Sequence, residues 1–324
     1  MSSLPTLVFV PGAWHKPTCY GKITKILEEK HKLKCVLVTL QSTTGSPAAT
    51  FKDDLDAACD AISGETIKGR DVVVIAHSYG GMVANSAIKD FSPNSVPTLT
   101  SADPPDNNQS QPPTPGHVIG LILIASGFTL TGMSFMDPFF GRPPPSWRVN
   151  SETGFADLVA SPREMFYHDV PEEEAEYWVS QLTTHSLKSL FEGGEFAYAG
   201  WMNVPAWYIG TVEDRGLPVA VQRMGVGIAR GMGANVVHRE MQTSHSPFLS
   251  QPEQTARYVV DAIEAFTGKS VAGEPARERG NELAVPEARF LQPLTWFKFG
   301  LPLIFGRFLG RCVLIFNGVR RLWR

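Results

Sequence analysis

Short apolar runs alternate with stretches of helical periodicity along most of this chain. The apolar runs have the length of strands and cover residues 6–10, 35–40, 72–76, 117–124, 206–211 and 235–238. Helical periodicity covers residues 20–31, 51–62, 83–89, 217–230 and 252–266. Continuous apolar runs are typical of strands buried on both faces, and their alternation with helices is typical of parallel sheets. The pattern therefore predicts an α/β fold with a mostly parallel, doubly wound sheet between layers of helices.

Two segments interrupt this alternation. Residues 92–116 are mainly Pro, Ser, Thr, Asn and Asp, which predicts a mobile surface insertion. Residues 128–200 contain aromatic and Pro-rich turns followed by helical segments, and such a block between two sheet strands predicts a helical cap over the functional site. The core would then comprise residues 1–127 and 201–268, followed by a charged linker at 269–288 and a basic helix at 289–324.

Composition limits the classes of function. The 324 residues are 43% hydrophobic, enough for one large α/β domain with an insertion, and the formal net charge of -3 gives no sign of a nucleic-acid partner. Widely spaced cysteines without a C-x-x-C pair argue against a zinc site or a disulfide scaffold and favour a reducing compartment. They are Cys19, Cys35, Cys59 and Cys312. We expect no metal or cofactor and, without the pattern of a secretory signal, an intracellular, cytoplasmic protein.

The strand predicted at 72–76 leads into a sharp turn at Ser78. A helix is predicted directly afterwards, so Ser78 stands at the apex of a strand–turn–helix unit. Such a turn strains the backbone of its apex, and the residues two positions to either side must be small. Gly80 meets this requirement, whereas Ala76 departs from the usual G-x-S-x-G pattern by one methyl group. The turn points the Tyr79 N–H at the space above Ser78, where the start of a helix favours an oxyanion.

A serine hydroxyl needs a base and an orienting acid to act as a nucleophile. Asp214 and His245 each follow a predicted strand, and residues just past the carboxyl ends of parallel strands converge at one edge of the sheet. The chain order Ser78, Asp214, His245 is the order expected for an α/β-hydrolase. Glu213 competes with Asp214 for the role of the acid, and we favour Asp214 because it lies closer to the following turn.

The loop after the first strand is expected to supply a second oxyanion donor. Gly12 allows its backbone to approach the nucleophile closely, and the Ala13 N–H is the predicted donor. Two other histidines, His77 and His238, are predicted to be structural. The residues after Ala13 would lie near the mouth of the pocket or pack in the core. The predicted substrate-binding residues are Trp14, His15, Phe128, Trp147 and Trp178.

Several segments resemble the α/β-hydrolase superfamily, and within it the small-ester branch that includes plant methylesterases and hydroxynitrile lyases, and more closely the fungal hydrolases of that type. The matching segments are residues 10–15, 77–81, 169–173 and 244–248, together with Asp214, and they span roughly residues 5–268. The resemblance implies an α/β-hydrolase fold with a helical cap lining an apolar pocket. It also implies a triad of Ser78, Asp214 and His245 and an oxyanion hole formed by Ala13 and Tyr79.

The sequence departs from this branch at three positions. Pro11 stands where a histidine usually precedes the glycine, and Ala76 replaces a glycine. Neither change removes a catalytic group. The lyases of this branch have a lysine directly after the histidine, whereas this chain has Ser246, which argues against cyanohydrin cleavage.

These features predict a serine hydrolase that cleaves an ester, lactone or thioester of a largely apolar small molecule through an acyl-enzyme on Ser78. Two other functions stay open. One is a non-hydrolytic lyase, cyclase or acyl transferase of secondary metabolism on the same fold. The other is a ligand-binding protein with a vestigial triad. The residues of the predicted cap carry no readable code for the substrate.

The segment from residue 289 to 324 is basic and contains no acid. As a helix it would separate a polar, basic face from an apolar face. The first face comprises Arg307, Gly310, Arg311, Asn317, Gly318 and Arg321, and the second Phe305, Phe308, Leu309, Cys312, Ile315, Phe316, Val319 and Trp323. Its charge-free runs are too short for a span of ~20 residues. We expect either an amphipathic helix on the anionic, cytoplasmic face of a membrane or a helix docked on the domain or on a second subunit, with the oligomeric state left open.

Overall fold

A six-stranded parallel sheet forms the centre of the molecule, of which the computed structural model describes residues 4–93, 114–271 and 293–322. The strands are β1 (Thr6–Val10), β2 (Cys35–Leu37), β3 (Val72–His77), β4 (Val118–Ile124), β5 (Trp147–Asn150), β6 (Phe155–Leu158), β7 (Ala206–Thr211) and β8 (Val236–Met241). All but β5 and β6 join the sheet, in the order β2-β1-β3-β4-β7-β8, and every pair in it is parallel. The predicted α/β fold class is confirmed.

Some of the helices flank this sheet, and others lie in the segment between β4 and β7 or after the core. The helices are α1 (Gly21–His31), α2 (Phe51–Thr66), α3 (Gly80–Ala87), α4 (Pro162–Phe166), α5 (Glu172–Ser180), α6 (Leu187–Phe191), α7 (Val219–Gly231), α8 (Pro247–Ser250), α9 (Pro252–Thr267), α10 (Pro293–Thr295) and α11 (Leu301–Leu322), with a π-helical turn at Trp296–Gly300. Short 3-10 turns occur at Pro17–Tyr20, Gln41–Thr43, Ile88–Asp90, Asp137–Phe139, Gly194–Phe196 and Gly200–Met202. Helix α1 packs against α9, and α2 packs against α3.

Part of the predicted organisation lies outside the described residues. This applies to most of the insertion predicted at 92–116, to most of the linker predicted at 269–288, to Trp323, and to the side chains of Asn317 and Arg321. The described core segment ends with α9, whose last turn closes on Gly268 at a φ of 67°. Glycine adopts this left-handed conformation without steric cost, so it stops the helix there.

Two strands differ in length from the prediction. Strand β2 ends at Leu37 instead of residue 40, because the chain leaves the sheet after the Val38 N–H donates to the Phe9 carbonyl and then forms a 3-10 turn. Strand β8 continues to Met241 instead of ending at 238, although it contains Arg239 and Glu240. Those charges interrupt the apolar run in the sequence, but Glu240 is buried in an ion pair with Arg223 of α7.

The segment between β4 and β7 holds helices α4–α6, as expected of residues 128–200, and also an antiparallel hairpin that the sequence analysis missed. In this hairpin β5 pairs with β6, with Trp147 opposite Leu158 and Asn150 opposite Phe155. The Asn150 side chain accepts the N–H groups of the turn at residues 152 and 153. The strands have only four residues each and carry charges, so the alternation of apolar and polar residues is too short to predict a hairpin.

A cluster around Glu65 joins three parts of the sheet's amino-terminal edge. At the end of α2, the Glu65 carboxylate accepts hydrogen bonds from Thr6 of β1 at 2.9 Å, Lys34 before β2 at 2.6 Å and Arg70 before β3 at 2.7 Å. Burial raises the pKa of Glu65, but the bonds from Lys34, Arg70 and Thr6 outweigh it and lower that pKa to about 2. The ionised form of Glu65 therefore stabilises the entry of these strands.

We expect Glu65→Gln to lower the free energy of unfolding at neutral pH by about 2 kcal/mol, because charge-assisted hydrogen bonds are lost. The folded-state pKa of Glu65 lies below the unfolded value of about 4.3, so its contribution is complete above the unfolded pKa and disappears as the pH falls through about 2. Denaturant unfolding at several pH values should show wild type and variant converging as the pH falls over this range.

The control is Asp56→Asn, which removes an exposed Lys52–Asp56 pair on the same helix. Exposed pairs contribute about 0–1 kcal/mol, so this variant should unfold almost like wild type. Equal stability of wild type and Glu65→Gln at neutral pH would contradict a stabilising role for the cluster.

Candidate active site

Ser78 occupies a strained turn between β3 and α3. Its φ is 51°, in the left-handed region that non-glycine residues rarely adopt. A Cβ at Gly80 would lie 2.3 Å from the Pro11 carbonyl oxygen, so only glycine fits there, and α3 begins at Gly80 instead of at the predicted residue 83. From the other side the Ser126 hydroxyl donates to the Ser78 carbonyl at 2.6 Å. The turn is thus fixed by both neighbouring strand ends, and Ser78 stays partly exposed.

His245 and Asp214 form a buried hydrogen-bonded pair. The distance from His245 Nδ1 to Asp214 Oδ2 is 2.7 Å, and both residues are less than 10% exposed. The carboxylate accepts four more hydrogen bonds, from the Thr211 hydroxyl, the Gln222 amide and the N–H groups of Gly216 and Leu217. Because the Nδ1–H of His245 donates its hydrogen bond to Asp214, the proton stays on Nδ1 and the Nε2 atom is available as a base.

Glu213 lies outside this arrangement. Its side chain is 53% exposed, and its carboxylate lies 3.9 Å from His168. The structure therefore brings His245 together with Asp214, the acid that the sequence analysis favoured. The catalytic roles of both residues remain predictions.

His77 connects the Ser78 turn to the loop that carries His245. Its Nε2 donates to the His245 carbonyl at 2.9 Å, and the two imidazole rings lie 4.6 Å apart. Burial, together with the neighbouring histidines, holds the pKa of His77 well below its usual range, so the ring is neutral. Since the acceptor is a carbonyl, the single proton sits on Nε2. His77, the residue directly before Ser78, thus binds the backbone of His245, which fits the structural role predicted for it.

Asp169 ties the segment between β4 and β7 to the same loop. Its carboxylate accepts the Ser244 N–H at 3.0 Å and the Thr243 hydroxyl at 2.6 Å, while the Ser244 hydroxyl donates to the Phe166 carbonyl. Burial raises the pKa of Asp169, but these hydrogen bonds outweigh it and lower that pKa. Ser244, the residue before His245, is therefore held by hydrogen bonds to the end of α4 and to the turn that follows α4. The motif at 169–173 marked this aspartate in the sequence, although its contact could not be read there.

The loop after β1 lies directly against Ser78. A Cβ at Gly12 would come within 3.0 Å of the Ser78 Cβ and 2.9 Å of His77 Nδ1. Within the described part of the chain, no acceptor is hydrogen-bonded to the N–H of Ala13 or of Tyr79. These N–H groups belong to the β1 loop, which lies against Ser78, and to the residue directly after Ser78. Their role as an oxyanion hole stays a prediction.

A buried chain of hydrogen bonds fixes the Ala13 peptide. His15 Nδ1 donates to the Ala13 carbonyl at 2.7 Å, and the Tyr167 hydroxyl donates to His15 Nε2 at 2.8 Å. Burial lowers the pKa of His15 to about 4, which keeps it neutral and able to accept from Tyr167. His15 is 3% exposed, so this structure places it in the core behind the oxyanion loop and not at the mouth of a pocket.

The Tyr79 side chain is anchored by a residue that the sequence analysis missed. The Tyr79 hydroxyl donates to Asp54 of α2 at 2.8 Å, and the other oxygen of Asp54 accepts the Ser42 N–H at 2.9 Å. Asp54 is fully buried, and burial raises its pKa. The available signal was an aspartate on the buried face of α2, between Phe51 and Ala58. This anchor holds the residue whose N–H flanks Ser78.

The remaining predicted pocket residues occupy three places. Trp14 is 8% exposed, donates to the Ala156 carbonyl and packs edge-on against Trp147 with ring centroids 6.2 Å apart. Phe128 stacks on Tyr208 at 5.5 Å. Trp178 donates to Glu174 within α5, so its indole N–H is engaged on its own helix. Trp14 and Trp147 form one buried aromatic cluster, and substrate contact by any of these residues remains a prediction.

Among residues 4–93, 114–271 and 293–322, no group of three or more His, Cys, Asp or Glu side chains is placed so that it could hold a metal ion. The four cysteines are free thiols, three of them buried or half-buried.

Comparisons with known proteins agree with this geometry. Residues 7–258 match the family model described as "Alpha/beta hydrolase family". The alpha/beta hydrolase nvfD of Aspergillus novofumigatus is 28% identical over 264 residues, which cover 80% of this chain and 96% of that protein. The chain therefore belongs to the alpha/beta hydrolase family, as the sequence resemblance predicted, and the relatives support a general hydrolase function.

Solved structures show the same fold. The pyrethroid hydrolase from Sphingobium faniae superimposes with a TM-score of 0.60 at 20% identity, covering 81% of this chain and 98% of that one. A methylesterase from Arabidopsis superimposes with a TM-score of 0.58 at 17% identity, covering 81% of this chain and all of that one (100%). At these identities the likeness concerns the fold alone.

The hydrogen bond between Asp214 and His245 can be tested with a matched pair of variants. We expect Asp214→Asn to lower kcat/KM for a p-nitrophenyl ester about 1,000- to 10,000-fold, because the amide favours the wrong imidazole tautomer. Glu213→Gln changes the neighbouring exposed acid and should stay within about twofold of wild type, since an exposed carboxylate contributes little. A larger loss in Glu213→Gln than in Asp214→Asn would reverse the assignment of the acid.

Proposed function

We propose that this chain is a serine hydrolase that cleaves an ester, lactone or thioester of a largely apolar small molecule. The observation that carries the proposal is the His245–Asp214 pair, fixed by Asp214's other hydrogen bonds and by His77, next to a strained serine turn with two N–H groups unpaired within the described residues. Each part has a role in acyl transfer. Together they match the requirements for nucleophilic catalysis by serine.

The first half of the reaction forms an acyl-enzyme. The Ser78 Oγ attacks the substrate carbonyl carbon while His245 Nε2 accepts the hydroxyl proton. The imidazolium is stabilised by Asp214, and the negative charge on the carbonyl oxygen is stabilised by the Ala13 and Tyr79 N–H groups. When the tetrahedral intermediate collapses, His245 donates its proton to the leaving alcohol or thiol. Ser78 then carries the acyl group.

The second half releases the acid. A water molecule gives a proton to His245 Nε2 and attacks the acyl carbon, and the same two N–H groups stabilise the second oxyanion. Collapse of this intermediate returns the proton from His245 to Ser78 Oγ. Removing one donor of such a hole typically costs ~3 kcal/mol in the transition state. The proposed mechanism thus assigns the roles of nucleophile, base, orienting acid and oxyanion donors to this chain's own residues.

One observation supports a substrate with a large apolar part, and a second supports an ester. Aromatic residues crowd the elements above the nucleophile, with Phe166 5.5 Å from the His245 ring and Phe135 5.4 Å from the Tyr79 ring. The solved neighbours include a pyrethroid hydrolase and a methylesterase, and the second name supports an ester as the substrate class. The identity of the substrate stays open.

The proposal predicts that a fluorophosphonate probe labels wild-type protein at Ser78. Labelling should be lost in Ser78→Ala and reduced at least about 1,000-fold in rate in His245→Ala, because the hydroxyl is not activated without its base. Peptide mass spectrometry locates the modified residue, and a p-nitrophenyl ester series of increasing acyl length measures turnover.

The matched control is Ser180→Ala, which removes an exposed hydroxyl at the end of α5. This variant should be labelled at the wild-type rate. Labelling that persists in Ser78→Ala, or folded wild-type protein that neither reacts with the probe nor turns over any ester of the series, would overturn the proposal.

A further inference from the structure

Helix α11 is seated on the hydrolase domain through a glycine contact. It packs lengthwise against α7, where a Cβ at Gly306 would lie 2.4 Å from the Met224 carbonyl oxygen and one at Gly310 2.6 Å from that of Ile228. On α7, a Cβ at Gly227 would lie 2.7 Å from the Leu303 carbonyl oxygen. The two helix backbones therefore touch, which fixes the face that α11 turns towards the domain.

A buried arginine fixes the beginning of the same segment. Arg223 of α7 is 2% exposed and binds Glu240 with two hydrogen bonds of 2.6 Å. Its remaining terminal nitrogen donates to the Lys298 carbonyl, and its guanidinium lies 3.8 Å from the centre of the Phe299 ring. The turn before α11 is thus tied to the sheet through α7 and β8, and the docked position is specific.

The face of α11 that points away from α7 is apolar and exposed. Phe308 is 63% exposed and Ile315 67%, and the same surface includes Leu301, Ile304, Phe305, Phe316 and Val319. The π-helical turn adds Trp296 and Phe297, which are 52% and 70% exposed. A continuous apolar surface of this length is rare on monomeric soluble proteins and marks a site of interaction.

The charges around this surface have one sign. Lys298, Arg307 and Arg311 are exposed along it, and residues 293–322 contain no Asp or Glu. Such a surface complements anionic lipid headgroups, to which each basic residue adds about 1 kcal/mol of attraction. A second copy docked through the same face would bring like charges together without an acid to pair with them. Charge complementarity therefore favours a lipid surface as the occupant.

The packing of α11 on α7 also favours one orientation of α11 relative to a membrane. Although its charge-free runs are short, the stretch Pro293–Phe316 is long and apolar enough overall to cross a membrane, contrary to the expectation from the sequence. However, α11 lies along α7, whose Gln222 and Arg223 are buried polar residues of the hydrolase domain, so a spanning helix would have to leave this contact. A helix held along the domain with its outer face apolar can instead lie in the plane of the interface.

We propose that the outer face of α11 is the surface through which the folded hydrolase binds an anionic lipid bilayer, with the helix parallel to the membrane plane. The family model ends at residue 258, and 80% of this chain accounts for 96% of the Aspergillus relative. The membrane-binding surface is therefore an addition outside the part of the chain that defines the hydrolase family. It is independent of the reaction proposed for Ser78.

The test is flotation of the full chain with vesicles, either of phosphatidylcholine with phosphatidylglycerol in equal parts or of phosphatidylcholine alone. Wild type should float with the anionic vesicles, and its binding should weaken as salt is raised. Phe308→Asp combined with Ile315→Asp should weaken binding at least about 100-fold, because two charges enter the apolar contact. Arg307→Gln combined with Arg311→Gln should weaken binding to the anionic vesicles about 10-fold or more.

The control combines Ile67→Asp with Phe140→Asp, which places the same charges at apolar residues that are 67% and 90% exposed elsewhere. It should float like wild type. The Phe308 and Ile315 double variant should keep the wild-type melting temperature because both side chains are exposed on the face away from α7, and the melting temperature of the Arg307 and Arg311 double variant checks that it keeps the α7 contact.

Three results would overturn the proposal. In the first, wild type stays in the soluble fraction with anionic vesicles. In the second, the Phe308 and Ile315 double variant floats like wild type. In the third, light scattering finds a dimer of wild type without vesicles and a monomer of the double variant, so that a second copy covers the face.

Discussion

The close approach of two loops is the constraint on which the candidate site depends. Strands β1 and β3 are neighbours in the sheet, with Val10 opposite Ala76, so the chain leaves both strands side by side. Glycines at positions 12 and 80 let the backbones meet, and a side chain at Gly80 would collide with the Pro11 carbonyl. This contact sets the distance between Ser78 on one loop and the Ala13 N–H on the other. The imidazole and the rest of the site are arranged around it.

Buried polar side chains hold the arrangement in place. His77, His15, Asp54 and Asp169 each bind a residue of the candidate site or a loop that carries one, and each joins segments distant in the sequence. Burial lowers the pKa of both histidines and keeps them neutral. His15 uses one nitrogen as donor and the other as acceptor, whereas His77 donates from Nε2 alone. If a buried polar group loses its partner, its desolvation is no longer offset by a hydrogen bond, and the folded state is destabilised. The site is therefore supported by a set of bonds that stabilise one geometry.

The fold could be predicted because strand-length apolar runs are a local signal. The order of Ser78, Asp214 and His245 after three strands led to the candidate site, and the structure brings Asp214 and His245 together. The β5–β6 hairpin could not be predicted, because four-residue strands with Arg148 and Asp157 show no clear alternation. The hydrogen bond of Asp54 to Tyr79 and the packing of α11 on α7 join residues that are distant in the sequence. No local pattern reports such contacts, so only the structure reveals them.

The small residues around Ser78 also differ in how freely they could change during evolution. Ala76 is inside β3, where its methyl group is accommodated in the core although the usual pattern has glycine. At Gly81, by contrast, a methyl group would lie 1.9 Å from the Ser126 hydroxyl that holds the Ser78 carbonyl. In this chain an added methyl group is therefore accommodated on the strand side of Ser78, whereas on the helix side the Pro11 carbonyl and the Ser126 hydroxyl leave no room for one at Gly80 or Gly81.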